Sequence, residues 1–178
     1  GTIVIEAALM ALEAAPGLHR GAFGFEAWKG HDRALWKRLT VEAQERRRRG
    51  RTAKIVGYDS NPAAVRTARA NAVEAGLEEV VDFEVRDIAD CVPPEGRPGL
   101  VAVNPPYGER LGTPEELEPL YRDLGRVLMD RFPSWRVAIL TASPDLSFAT
   151  GLKAYKVNKL YNGHLPCEIA LFTIRPPD

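Results

Sequence analysis

The chain has 178 residues, 45% of them hydrophobic, which is enough for one sizeable core and too few for two ordinary domains, so residues 1–178 are read as one domain. Lysine plus arginine (24) equals aspartate plus glutamate (24), so no global field draws the protein toward a polyanion, and any affinity for nucleic acid must come from a local patch or from a separate domain. The two cysteines, Cys91 and Cys167, show no CxxC or Cys/His spacing, which argues against a metal site and a disulfide framework and fits a reducing cytoplasm; no apolar run reaches the roughly 18 residues of a membrane span.

Gly1-Thr2 leads straight into the apolar stretch 3–12 with neither a methionine nor a preceding strand, so the chain is expected to start inside a motif. Residues 2–14 are rich in helix formers and stop before Pro16-Gly17. From 16 to about 54 the composition shifts to aromatics, histidines and arginines. That segment reads as an insertion, with a helix over 32–49 that ends at Gly50. Lys54-Ile55-Val56-Gly57-Tyr58-Asp59 reads as a strand ending in an acid, followed by Pro62 and a helix over 63–75 closed by Gly76.

The alternation continues with strands at 81–85, 99–103 and 135–140 and a helix at 114–131. Such alternation implies βαβ crossovers and a parallel sheet covered on both faces. Two further strand-like runs, 153–160 and 168–174, are separated by Asn162-Gly163-His164, an Asn-Gly hairpin signal. The expected fold is therefore α/β, a mostly parallel sheet with a C-terminal antiparallel hairpin.

Asp59 falls at the carboxyl end of a strand, where ligands bind in doubly wound sheets, and an acid there can accept hydrogen bonds from both hydroxyls of a ribose. The plainer reading makes it a cap for the helix after Pro62. Asp87 repeats the placement one strand later and can accept from an adenine amino group; by itself it also fits ordinary turn chemistry.

Asn104-Pro105-Pro106-Tyr107 follows the apolar run Leu100-Val101-Ala102-Val103, which places it in the loop at the end of a buried strand. Two prolines remove two amide donors and restrict the backbone, leaving carbonyls as acceptors at a set position. An amino group on an aromatic base is a poor nucleophile because its lone pair is delocalised into the ring. If the Asn104 side-chain oxygen and the Pro105 carbonyl accept its protons, the nitrogen can pyramidalise and aim that lone pair at a sulfonium methyl, and the remainder is positioning. Tyr107 offers a ring on which an extracted base can stack. Against this stands a proline-rich turn with a core tyrosine.

The arginine run (Arg46 to Arg49, then Arg51 and Lys54) can grip phosphates or form a solvated helix end. His19, Arg20, Phe23, Phe25, Trp28, His31 and Asp32 mix aromatic and polar types as a base-binding surface would, or as a packed insertion covering one sheet edge would. His164 reads as a turn residue.

Taken together, Gly1-Thr2-Ile3-Val4-Ile5-Glu6-Ala7-Ala8, Ala15-Pro16-Gly17-Leu18-His19-Arg20, Phe25-Glu26-Ala27-Trp28, His31-Asp32, Gly57-Tyr58-Asp59, Asn104-Pro105-Pro106-Tyr107-Gly108-Glu109-Arg110-Leu111 and Ala142-Ser143-Pro144-Asp145 strongly resemble one family. It is the bacterial large-subunit (23S) ribosomal RNA guanine-N2 methyltransferases, which pair a THUMP domain with a Rossmann-like methyltransferase domain. The resemblance implies S-adenosylmethionine as cofactor, with Asp59 on its ribose, Asp87 by its adenine, and Gly1 and Thr2 as the tail of its glycine-rich loop. It implies that Asn104, Pro105, Pro106 and Tyr107 hold the target guanine, with Asn104 also belonging to the cofactor site. It further implies that the family's first strand, most of the glycine loop and the RNA-binding THUMP region precede Gly1. Two other functions fit the same residues: an adenine-N6 methyltransferase on DNA or RNA, and a non-catalytic RNA-binding domain of the same fold.

Overall fold

The computed structural model describes residues 1–18, 20–48, 54–107 and 112–176. They divide into two compact units, Gly1–Val85 and Arg86–Asp178.

The first unit is built on a single βαβ crossover. Strands β1 (Ile55–Asp59) and β2 (Val81–Val85) pair in parallel, from Ile55 opposite Val81 to Asp59 opposite Val85. Helix α3 (Pro62–Glu74) joins them. Asn61 caps it by accepting from the Ala63 amide at 2.9 Å, Pro62 supplies the preset first turn, and Gly76 at φ +64° turns the chain out of it. The buried stripe of α3 is Val65, Ala68 and Ala72, small side chains that let the helix lie close to the sheet. Helix α1 (Thr2–Ala11) contributes Ala8, and Leu12 just after it, to the same core, which also holds Leu77 and Phe83.

Helix α1 ends three residues earlier than composition suggests. The Ala14 amide reaches back to the Leu9 carbonyl at 2.9 Å and Glu13 takes the left-handed position, φ +52°, that usually calls for glycine. Helix α2 (Arg33–Arg46) starts as expected at Asp32, which accepts from the Leu35 amide at 2.9 Å, but stops at Arg46; the expected stop at Gly50 lies outside the described residues. No residue of α2 is buried. The insertion instead closes on its own aromatics, with Trp36 edge-on to Phe23 and Phe25 at 5.4 and 4.9 Å.

In the second unit, β3 (Leu100–Val103), β4 (Arg136–Thr141), β5 (Lys156–Asn162) and β6 (Leu165–Thr173) form one sheet in the order β3-β4-β6-β5. The β3–β4 pair is parallel and the β4–β6 and β5–β6 pairs are antiparallel. Among the described residues β1 pairs only with β2 and β3 only with β4, so the expected sheet is seen as a parallel pair and a mixed four-stranded sheet.

The crossover from β3 to β4 is α4 (Pro114–Arg131), opened by a reciprocal cap between Thr113 and Glu116. Its buried stripe runs Leu117, Tyr121, Leu124 and Leu128. A short helix, α5 (Pro144–Ala149), follows β4, capped by Ser143. The hairpin between β5 and β6 turns one residue later than an Asn-Gly loop would place it. Asn162 pairs with Leu165 inside the ladder, leaving Gly163-His164 as the two-residue loop with Gly163 at φ +64° in its first position. Glycine there and no left-handed residue after it is the type II′ pattern.

Candidate active site

In the first unit Asp59 stands at the carboxyl end of β1 with its side chain in solvent. The helix cap that could have explained it away belongs to Asn61; Asp59 instead accepts the Asn61 amide on Oδ1 at 2.8 Å, an Asx turn that orients the carboxylate and leaves Oδ2 without a hydrogen bond among the described residues. Two residues before it, Gly57 has no room for a side chain, since a Cβ would lie 2.7 Å from the Phe83 ring. Gly1 is held in the same way, its Cβ position 2.7 Å from Cβ of Ala68, and Thr2 is the exposed first residue of α1. Neighbours of Gly1 are thus Ala68 and Phe83, and no described contact joins Gly1 or Thr2 to Asp59.

Near the start of the second unit, Asp87 is exposed and caps a 3-10 turn (Ile88–Asp90) by accepting from the Ala89 amide at 2.9 Å on Oδ1. Turn chemistry therefore accounts for one of its oxygens. Cys91 donates its thiol to the Asp87 carbonyl at 3.4 Å, and burial pushes that thiol above its ordinary pKa.

Asn104 to Tyr107 leave β3 at Val103, which is paired to Ile139 of β4. Pro105 is buried, Pro106 and Tyr107 are half-buried, and Asn104 is exposed. A buried proline flanked by an exposed amide is an anchored loop: the ring holds the backbone to the unit while the asparagine side chain faces whatever arrives from solvent. The flanking residues 108–111 lie outside the described residues.

Tyr107 is tied down from the far end of the chain. Its hydroxyl accepts a 3.1 Å hydrogen bond from Nδ2 of Asn162, the last residue of β5. Tyr121 of α4, fully buried, has its phenol pKa raised, chiefly by burial, with the opposing pull of a hydrogen bond to Thr141 and an added push from Tyr107, so the two tyrosines lie within electrostatic reach. The Tyr121 hydroxyl donates to Oγ1 of Thr141 at 3.3 Å; Thr141 donates on to the Ser143 carbonyl at 3.3 Å, and the Ser143 amide returns a bond to it at 3.0 Å. Asn162, Tyr121 and Thr141 are absent from the sequence-based site. Asn162 looked like turn material, and Tyr121 and Thr141 are indistinguishable from core positions of an amphipathic helix and a buried strand.

Several of the other basic and aromatic candidates make structural contacts. Arg48 donates its amide to the Leu12 carbonyl at 2.8 Å and its guanidinium pairs with Glu13, while the Arg20 guanidinium lies 5.1 Å over the Phe23 ring. His19, Arg49 and Arg51 lie outside the described residues. Among the described residues no three His, Cys, Asp or Glu side chains come together as metal ligands, and no helix is long and apolar enough to cross a membrane.

Residues 1–170 match the family model described as "RMKL-like, methyltransferase domain". A curated relative from Allochromatium vinosum, called ribosomal RNA large subunit methyltransferase K/L, is 48% identical over 179 aligned residues that include 99% of this chain and 24% of the relative. The chain therefore spans about a quarter of the length of that relative. Among solved structures, a "putative methyltransferase complexed with SAH" superposes with a TM-score of 0.90 at 35% identity, over 100% of this chain and 46% of the other. A "predicted N6-adenine-specific DNA methylase" from Listeria monocytogenes does so with a TM-score of 0.82 at 34% identity, over 99% of this chain and 44% of the other.

Proposed function

Because the chain belongs to the RMKL-like methyltransferase-domain family, we propose that it is the catalytic part of an S-adenosylmethionine-dependent enzyme that methylates the exocyclic N2 of a guanine in 23S ribosomal RNA. The observation that carries this reading is the anchored loop after β3, with Pro105 buried and the Asn104 amide exposed beside it. The relative's name supports the substrate, and the SAH held by the superposed structure supports the cofactor. On this reading the two units serve one catalytic domain, residues 16–54 are an insertion in it, and the complete cytoplasmic protein carries an RNA-binding THUMP region before it.

The residues present fit the cofactor by donor chemistry. Asp59 offers a carboxylate oxygen to ribose hydroxyls and Asp87 offers one to the adenine amino group, each having spent only one oxygen on its own turn. Gly1 and Thr2 would line the methionine end. S-adenosylmethionine supplies an electrophilic methyl on a sulfonium. Asn104 Oδ1 and the Pro105 carbonyl accept the two protons of the guanine amino group, which localises its lone pair. Tyr107, its hydroxyl held by Asn162, presents a ring to the base once it has left its stack, offsetting part of an unstacking cost of about a few kcal/mol.

The test is to incubate the full-length enzyme with labelled cofactor and unmodified ribosomal RNA, digest the RNA and identify the labelled nucleoside. N2-methylguanosine is expected. Both loop acceptors serve any planar amino group, and the resemblance to the Listeria protein favours adenine N6 as the second reading; label in N6-methyladenosine would establish it. No label in any nucleoside would mean a non-catalytic RNA-binding domain.

A further inference from the structure

Between Asp145 and Glu168 the chain has no acidic residue, yet it carries Lys153, Lys156 and Lys159. In a protein whose charges balance overall, this is a local cationic patch. The fold puts it on β5 and the turn before it, at the end of the β3-β4-β6-β5 order, and every residue of β5 except Leu160 is exposed. The acid nearest in register is Glu168, opposite Lys159 on β6 and half-buried.

Lysines on an outer strand have a simpler use, since they discourage pairing with another chain. Bare aromatic rings work against that use. Tyr155, in the bend before β5, is 61% exposed and Tyr161 74% exposed; strand alternation sets Tyr161 on one face with Val157 and Lys159, and Lys156 on the other. Phe148 of α5, 85% exposed, stands by Val157 at the groove between α5 and β5. Exposed rings interleaved with cations are what single-stranded nucleic acid binds, bases stacking on the rings and phosphates meeting the charges. The strand also leads to the candidate site, for its last residue, Asn162, holds Tyr107.

We propose that single-stranded RNA flanking the target nucleotide docks along the exposed outer strand β5, with Lys153 and Lys159, and Lys156 from the strand's other face, on phosphates and Tyr155 and Tyr161 stacked on bases. This rests on the RNA-substrate reading above.

The test measures binding, not methylation, of a fluorescent single-stranded oligoribonucleotide to the full-length protein across a salt series, with a blunt duplex of the same sequence in parallel. K153Q/K156Q/K159Q should reduce the slope of log affinity against log salt by about 2, at roughly 0.7 per phosphate contact on a single strand. Tyr155→Leu and Tyr161→Leu should each weaken single-strand binding by about tenfold and leave duplex binding unchanged. Unchanged slope and affinity in these variants would overturn the proposal. So would tyrosine variants that bind RNA normally but lower the melting temperature of the full-length protein, because the face would then be covered by another part of the same polypeptide. Binding through these residues without any labelled nucleoside in the methylation assay would remove the enzymatic reading and leave the surface standing.

Discussion

The side-chain amide of Asn162 donates a 3.1 Å hydrogen bond to the hydroxyl of Tyr107, joining the end of the hairpin to the loop after β3 across 55 residues of chain. A hydrogen bond of this kind contributes about 0.5–1.5 kcal/mol, so Asn162→Ala and Tyr107→Phe should each lower kcat/KM for RNA by roughly two- to tenfold. Both remove one shared bond, and the double variant should therefore lose no more than the worse single one. Additive losses in steady-state kinetics would show that the bond does not position the ring.

Asp59→Ala should raise the cofactor KM more than it lowers kcat. A ribose contact lies away from the transferred methyl and is about equally strong in ground and transition states. Because Asp59 also orders the Asn61 amide, melting of the variant must be measured beside its kinetics. An unchanged cofactor KM would sink the ribose assignment.

The opposite pattern should hold for Asn104→Ala, whose acceptor matters most as the amino nitrogen pyramidalises. Removing one such group from a preorganised site costs about 10²–10³ in kcat. Since Asn104 is exposed, the melting temperature should stay where it is. A variant retaining full kcat would return the loop to the status of a proline turn.

Gly125→Ala should destabilise the second unit although alanine is the better helix former. A Cβ on Gly125 would lie 1.8 Å from the Thr150 carbonyl oxygen, so α4 would have to move off the backbone it touches. Overpacking of this kind costs about 1–3 kcal/mol or more, against roughly 1 kcal/mol from propensity. Denaturant unfolding with an unchanged midpoint would contradict the close approach.

Burial raises the Tyr121 phenol above its ordinary value, and the sign of the linkage follows. The neutral phenol is favoured by the fold, so its contribution is fully present below about pH 10, the unfolded value, and is lost as pH rises through the higher folded value. Stability measured from pH 8 upward should fall in alkali, and Tyr121→Phe should flatten that fall while losing the bond to Thr141. An equal alkaline loss in the variant would assign it to other groups, the raised Cys91 thiol first among them.

Much of the architecture was legible from local signals. The α4 span of Pro114–Arg131 and the β2 span of Val81–Val85 agree with the sequence reading, because a capping box, a proline start and an apolar rhythm leave little choice at those places. The extent of α1 was not legible. It ends at Ala11 because Glu13 accepts a left-handed backbone to bring the Ala14 amide to Leu9, a choice made by the core around Leu12 and not by helix propensity. Helix α5 lies beyond the sequence reading, although Ser143-Pro144 is a cap followed by a first-turn proline.

The sequence by itself determined the alternating α/β pattern, the terminal hairpin and the Asn104-Pro105-Pro106-Tyr107 string at a strand's end, since each depends on neighbours along the chain. Only the tertiary structure decided which residues stand behind that string. Asn162 meets Tyr107 because a two-residue Gly163-His164 turn sets the β5–β6 register, and Tyr121 meets Thr141 because the fold brings α4 to the last residue of β4. Such meetings depend on where distant segments come to rest, and nothing in a residue's immediate sequence encodes the distance to a partner that packing alone brings near.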